Sequence, residues 1–256
     1  MALASLKIFS ECLGRATGVE VIIPQRSTTG EIGVDSKRRK EKYPVLYLLH
    51  GLSDDETIWM RRTSIERYAT KHGIAVVMPN GDRSFYTDIE SARGLKYFKF
   101  ITEELPSIIC DLFPVSDKRC DTVIGGNSMG GYGALKAALR NPEKYGKVIA
   151  LSSVADILAQ KERFRETLAG VFGEMVNIPE SEELFALSKS AAEGDMKPSI
   201  YIAVGRADYM YEDNLRLAKH LESLGYDLRY EDGAGAHSWD FWDEYIQKGL
   251  NFAFGK

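Results

Sequence analysis

Ser128 stands at the centre of Gly126-Asn127-Ser128-Met129-Gly130, and its flanks say what a serine there can do. Upstream, Asp121-Thr122-Val123-Ile124-Gly125 is a short β-branched run. Downstream, residues 132–140 are good helix sequence that stops at Asn141-Pro142. A G-x-S-x-G between a strand and a helix is the layout of a nucleophile elbow. The turn is sharp, so only glycine-sized neighbours fit around the serine. The helix behind it offers free backbone N–H groups and a partial positive charge. The chemistry this prepares is nucleophilic attack on a carbonyl.

A serine hydroxyl needs a base to take its proton. Of the four histidines, His72 and His220 fall in helical stretches, where packing is the expected role. His50 follows an apolar run and is expected to shape the loop it begins. His237 lies in the small-residue loop Gly233-Ala234-Gly235-Ala236-His237-Ser238-Trp239, after one apolar run and before a final helix near Asp240. Such a loop brings an imidazole to the carboxyl ends of the strands, where open α/β sheets place their sites. His237 is therefore the expected base. Its second ring nitrogen needs an acceptor to fix the tautomer. Asp208 follows the run 200–204 and precedes His237, giving the order Ser, Asp, His. Glu212 and Asp213 read instead as first-turn residues of the next helix. Asp156 and Asp82 are more remote candidates.

Acyl transfer also needs donors for the oxyanion, worth about 3–4 kcal/mol each in the barrier. The Met129 amide directly follows the nucleophile. The second donor is expected from Leu48-Leu49-His50-Gly51-Leu52-Ser53-Asp54, at the Leu52 amide. Trp59, Tyr86 and Trp239 follow motif residues closely and either line the pocket or pack behind it. Phosphate-loop and zinc spacings are missing, so the chemistry is expected to need no metal or cofactor. A histidine base must be neutral to start, so activity should rise with pH through roughly 6–7.

These residues must be held by a frame. Apolar runs recur at 19–24, 45–49, 74–78, 122–124, 147–151, 200–204 and 227–230. Several are continuous rather than alternating, as strands buried on both faces are. Helical spacing marks 65–72, 96–113, 131–140 and 212–224. Alternating strands and helices predict an α/β fold, a mostly parallel sheet with helices on both faces. No helix separates the first strands, which read as an antiparallel edge. The 256 residues suit a single domain. Residues 153–197, polar and helical between two strands, are expected to form a small cap over the site. The charge run 34–42 reads as a solvated hairpin tip.

A net charge of −4 gives no reason to expect nucleic acid or anionic lipid as a partner. Cys12, Cys110 and Cys120 form no paired motif and fit buried thiols in a reducing compartment. The N-terminus lacks a basic start followed by an apolar core, and no apolar run reaches the roughly 20 residues of a membrane span. A cytoplasmic, non-membrane protein is the expectation.

L-L-H-G-L-S-D-D-E-T-I-W (48–59), V-V-M-P-N-G (76–81), F-Y-T-D (85–88), G-N-S-M-G-G-Y-G-A (126–134) and G-A-G-A-H-S-W (233–239) resemble the bacterial tributyrin esterases. These belong to the esterase D and acetyl xylan/feruloyl esterase group of the α/β-hydrolase superfamily. The resemblance spans nearly the whole chain. It implies a carboxylesterase acting on short acyl esters, acetylated or feruloylated sugars among them, and often a dimer or tetramer. It also implies Ser128 as nucleophile, Asp208 as acid, His237 as base, and the Leu52 and Met129 amides as oxyanion donors. The S-formylglutathione hydrolases are similar but less close. They carry a threonine-cysteine pair after H-G-L, where Ser53-Asp54 stands here. A thioesterase, an acyltransferase and a non-catalytic hydrolase-fold binding module are the competing readings.

Overall fold

The continuous apolar runs become the inner strands of one eight-stranded sheet. The computed structural model describes residues 1–25, 42–89 and 94–255. Its strands are β1 (Ala2–Ser10), β2 (Arg15–Ile23), β3 (Val45–Leu49), β4 (Ala75–Pro79), β5 (Thr122–Asn127), β6 (Lys147–Leu151), β7 (Ser199–Gly205) and β8 (Leu228–Gly233). They lie in the order β1-β2-β4-β3-β5-β6-β7-β8. From β4 to β8 every pairing is parallel. The sheet is mostly parallel with helices on both faces, an α/β-hydrolase fold, as the alternation of elements predicts.

The edge differs in detail from the sequence reading. β1 and β2 form an antiparallel hairpin, and β2 pairs antiparallel with β4 rather than with β3. The strand β1 was not anticipated. It lies at the sheet edge, and most of its side chains are exposed or half-buried, so it lacks the apolar run that marks an inner strand. The charge run 34–42 falls outside the described residues except for Lys42.

Side chains alternate across the strands and build two cores. From β3, Val45, Tyr47 and Leu49 enter one core, while Leu46 and Leu48 enter the other. The helices are α1 (Ile58–Arg62), α2 (Ile65–His72), α3 (Tyr97–Lys99), α4 (Leu105–Leu112), α5 (Met129–Arg140), α6 (Arg165–Phe172), α7 (Leu184–Ala192), α8 (Tyr211–Ser223) and α9 (Trp239–Phe254). The first core takes Tyr132, Leu135 and Leu139 of α5 and Leu217 and Leu221 of α8. The second takes Ile65 and Ala69 of α2 and Phe241, Ile246 and Leu250 of α9. Each such side chain contributes roughly 1.5–3 kcal/mol by leaving water. The helix predicted over 96–113 is realised as α3 and α4 joined by a π-helical stretch, Phe100–Glu104. Pro106 explains the widening: it has no N–H for the carbonyl four residues back.

Between β6 and β7, residues 153–197 hold α6, a 3-10 turn (Glu180–Glu182) and α7. Among the described residues no helix is long and apolar enough to cross a membrane. The carboxyl ends of β3, β5, β7 and β8 lead directly into the segments carrying His50, Ser128, Asp208 and His237. Four strand ends, with β6 between β5 and β7, thus gather the sequence-predicted residues on one rim of the sheet.

Candidate active site

Ser128 joins β5 to α5 with φ 53° and ψ −119°. That backbone is strained for a residue with a Cβ, at a cost of about 1–3 kcal/mol. The strain is held by its surroundings. The Ser128 N–H donates to the Leu151 carbonyl at 2.8 Å, and its own carbonyl accepts from Tyr132 N at 3.1 Å. The flanking glycines allow the approach. A Cβ on Gly126 would lie 2.6 Å from the Leu49 carbonyl oxygen, and one on Gly130 would collide with that same oxygen. The elbow is therefore pressed against the end of β3 with no room for any side chain.

His237 Nε2 lies 3.0 Å from Ser128 Oγ. On its other side, His237 Nδ1 is 3.0 Å from Asp208 Oδ2 and 3.1 Å from Oδ1. Asp208 is buried, and its Oδ1 also accepts the Met210 N–H at 2.8 Å. That second bond fixes the carboxylate on its turn. The structure brings Ser128, His237 and Asp208 into one hydrogen-bonded line. The remaining acids are engaged elsewhere: Asp213 and Asp156 both pair with Arg216, and Asp82 pairs with Arg15.

The loop after β3 is locked by His50. The Gly81 N–H donates to His50 Nε2 at 2.8 Å, so Nε2 is an acceptor and Nδ1 carries the proton. Nδ1 then donates to the Gly51 carbonyl at 2.7 Å. Burial holds the His50 pKa below the ordinary histidine value, which favours this neutral tautomer. The Gly51 carbonyl also accepts from Asp54 N at 3.2 Å. Across a trans peptide the Leu52 N–H points away from that carbonyl. The Met129 N–H opens α5, in the first turn, where no helical carbonyl is available to it.

Trp59 and Tyr86 do not line an open pocket. Both are fully buried. Trp59 Nε1 donates to the Leu49 carbonyl at 3.0 Å, and Tyr86 Oη to the His50 carbonyl at 2.9 Å. They brace the loop after β3 from behind, the packing alternative of the sequence reading. Trp239 is half-buried, edge-on to Trp59 and Trp242 at 5.0 Å each.

Two neighbours of the imidazole escaped sequence reasoning. Tyr209 lies over the His237 ring at 4.6 Å between centroids, and Trp242 meets it edge-on at 4.9 Å. Adjacency to Asp208 and Trp239 was the only available signal. Arg163, from the insertion, stands 4.1 Å over the Tyr209 ring. His72 and His220 pack as expected, His220 against Phe185 and its carbonyl. The three cysteines are free thiols, but Cys120 is exposed and the other two only half-buried. They are not the buried apolar fillers expected, because Cys120 falls in the surface turn before β5. Among the described residues, no group of three or more His, Cys, Asp or Glu side chains could hold a metal ion.

Known proteins share this arrangement of chain. Residues 10–252 match the Esterase family, described as "Putative esterase". The acetyl esterase of Caldicellulosiruptor saccharolyticus is 34% identical over 260 residues, covering 96% of both chains. Among solved structures, FphF, a fluorophosphonate-binding serine hydrolase of Staphylococcus aureus determined with substrate bound, is 32% identical. It superposes with a TM-score of 0.84, covering 100% of this chain and 99% of that one. The S-formylglutathione hydrolase FrmB of Staphylococcus aureus is 33% identical with a TM-score of 0.85, covering 99% and 98%.

Proposed function

We propose, for a chain that belongs to the Esterase family, a serine carboxylesterase that cleaves short acyl esters through an acyl-enzyme on Ser128. Carboxylic ester hydrolysis is the activity its relatives support. The residue roles rest on one observation, the 3.0 Å contact of His237 Nε2 with Ser128 Oγ, backed by Asp208 on Nδ1.

The reaction follows from that line. His237 takes the Ser128 proton as Oγ attacks the ester carbonyl. Asp208 holds the imidazole in the required tautomer and stabilises the imidazolium. The carbonyl oxygen becomes an oxyanion facing the Leu52 and Met129 amides, each worth about 3–4 kcal/mol in the barrier. Both amides are preorganised, one by the His50 clamp on Gly51 and one by the start of α5, so they cost little reorganisation. His237 then protonates the departing alcohol. Water repeats the sequence and frees the acid.

Residues 153–197 act in this reading as a small cap within a single domain, one that sets access. The stack of Arg163 on Tyr209 on His237 supports that placement. Acetyl and butyryl esters are the proposed acyl range, and a sugar or another small alcohol the partner, by analogy with the acetyl esterase relative. The second reading, a glutathione thioesterase, is favoured only by the likeness to FrmB. A cytoplasmic location and a homo-oligomer of two or four chains remain part of the proposal.

The test is p-nitrophenyl ester hydrolysis across acetyl, butyryl and octanoyl chains, with Ser128→Ala beside wild type. Activity that peaks at acetyl or butyryl and vanishes in the variant supports the reading. A folded wild type that hydrolyses S-formylglutathione and no oxygen ester overturns it in favour of the second.

A further inference from the structure

One carboxylate beside the nucleophile takes no part in the triad. Asp54 ends the tight turn that carries the Leu52 amide, its own N–H bonded back to the Gly51 carbonyl. The place where a Cβ on Gly51 would sit lies 3.2 Å from Asp54 Oδ2 and 3.7 Å from Ser128 Cβ. The carboxylate and the nucleophile thus flank the same glycine. Asp54 is half-buried. Among the described residues its only side-chain hydrogen bond is a long one, 3.5 Å from Ser53 Oγ. Among the described residues, no lysine, arginine or histidine forms an ion pair with it. The nearest donor at that glycine is Asn127 Nδ2, 3.3 Å from the same point, which is buried and has no hydrogen-bond partner among the described residues. Burial raises the Asp54 carboxyl above its ordinary range, and the opposing effects of His50, the Ser53 hydrogen bond and Arg62 do not cancel it.

We propose that Asp54 sets the charge selectivity of this site, favouring esters with a neutral or cationic alcohol portion and disfavouring esters and thioesters whose leaving portion is anionic. The inference rests on Ser128 being the nucleophile. A unit charge some 7 Å from another, in the dielectric of a half-buried site, changes relative rates by about tenfold. Asp54 also opposes the oxyanion itself. That effect is common to every ester and cancels in a ratio of substrates. Arg62 is exposed and acts on Asp54 without forming an ion pair, and the other competing charge, Arg163, is exposed over the Tyr209 ring. Solvent and salt screen both more strongly than the half-buried Asp54. The substrate class that follows is an acetylated sugar or a similar neutral ester, with glutathione thioesters and phosphorylated alcohols disfavoured.

The experiment uses three aryl acetates of one shape: 4-nitrophenyl (neutral), 4-carboxyphenyl (anionic) and 4-(trimethylammonio)phenyl (cationic). kcat/KM is measured for wild type and Asp54→Asn. The variant should raise the anionic-to-neutral ratio about tenfold and lower the cationic-to-neutral ratio by a similar factor. Ratios that move in the same direction, or either one staying within twofold, overturn the proposal. Wild type alone gives an independent check should the variant misfold. Raising salt from 20 mM to 500 mM should narrow the gap between anionic and cationic probes, and an unchanged gap contradicts the proposal. Ser128→Ala separates the two levels, because hydrolysis of these probes that survives in it sinks the acyl-enzyme reading whatever Asp54 does.

Discussion

The elbow and the insertion lie against each other, yet they are held by different forces. Every residue from 122 to 139 is buried, and the turn at Ser128 is confined by the backbone of β3 and β6. The insertion is loosely packed by comparison. α6 buries only Leu168 and Val171, and α7 only Leu184 and Ser188. Besides the Val154 N–H on the Ser128 carbonyl at 3.3 Å and the Tyr132 hydroxyl on the Glu182 carbonyl at 2.8 Å, its polar attachment to the elbow helix centres on the Glu182 carboxylate. That group accepts from Lys136 Nζ at 2.6 Å and from Arg140 Nη2 at 2.7 Å, with Thr87 and Tyr132 hydroxyls at 3.1 Å. Asn214 adds a bond to the Ser153 carbonyl at 2.8 Å. Backbone against backbone leaves no freedom, whereas side-chain pairs can be retuned one at a time. In the proposed reading the chemistry is carried by the rigid half, and access by the half that can vary without destroying it.

The largest effect should come from the rigid half. Asp208→Asn keeps the shape but supplies the wrong hydrogen-bonding partner for the imidazole, and kcat should fall by about 10⁴. Stopped-flow or long-incubation assays on p-nitrophenyl acetate would measure it. A fall of less than tenfold would remove Asp208 from the triad.

Gly130→Ala tests the backbone contact itself. The added methyl group collides with the Leu49 and His50 carbonyls. It must push the start of α5 away from β3 and displace the Met129 amide from the Leu52 amide. Loss of one oxyanion donor predicts a drop of about 10²–10³ in kcat, with KM little changed. An equal loss on replacing Gly170 of the insertion, where a Cβ meets nothing within 4 Å, would erase the contrast between the two regions.

Glu182→Gln should show the reverse pattern. Lys136 is fully buried, so removing its partner leaves an uncompensated charge and costs about 3–5 kcal/mol of stability in denaturant titrations. Below the new melting temperature, kcat should change less than tenfold. The pH dependence sharpens this. Burial alone would raise the Glu182 carboxyl, but Lys136 and Arg140 overcome it and hold it below its ordinary 4.5. A depressed carboxylate stabilises the fold above the unfolded value and loses that contribution as pH falls through the folded one. Wild-type stability should therefore decline below about pH 4.5, and the decline should be shallower in Glu182→Gln. Parallel curves would mean the pair does not hold the insertion.

The smallest effect belongs to Arg163→Ala. An exposed cation over an aromatic ring is worth about 0.5–1 kcal/mol. Loss of the stack should raise KM two- to fivefold and leave kcat nearly unchanged, as steady-state kinetics would record. A kcat effect above tenfold would place Arg163 in the chemistry rather than at the entrance.

How much of this was readable beforehand follows the same division. The elbow announced itself because glycine, strand and helix signals coincide around Ser128, and each has a separate physical cause. The Ser, Asp, His order and the parallel inner strands were readable for the same reason. The pairing of β2 with β4 was not, since adjacency in a sheet leaves no mark on either strand. β1 was hidden by its half-exposed pattern, which gives no apolar run. Whether Trp59 and Tyr86 line the pocket or pack behind it stayed open because aromatic type says nothing of direction, and both point behind the loop after β3. Glu182 sits in an insertion rich in acids, and only the fold distinguishes it from its neighbours.

The central claim is that Ser128 forms the covalent intermediate. The measurement that tests it most directly is intact-protein and peptide mass spectrometry after treatment with a fluorophosphonate, in wild type and His237→Ala. One adduct on the peptide containing Ser128, forming quickly in wild type and at least a hundredfold more slowly in the variant, is the predicted result. No adduct on folded wild type, or an adduct on another serine, would contradict it.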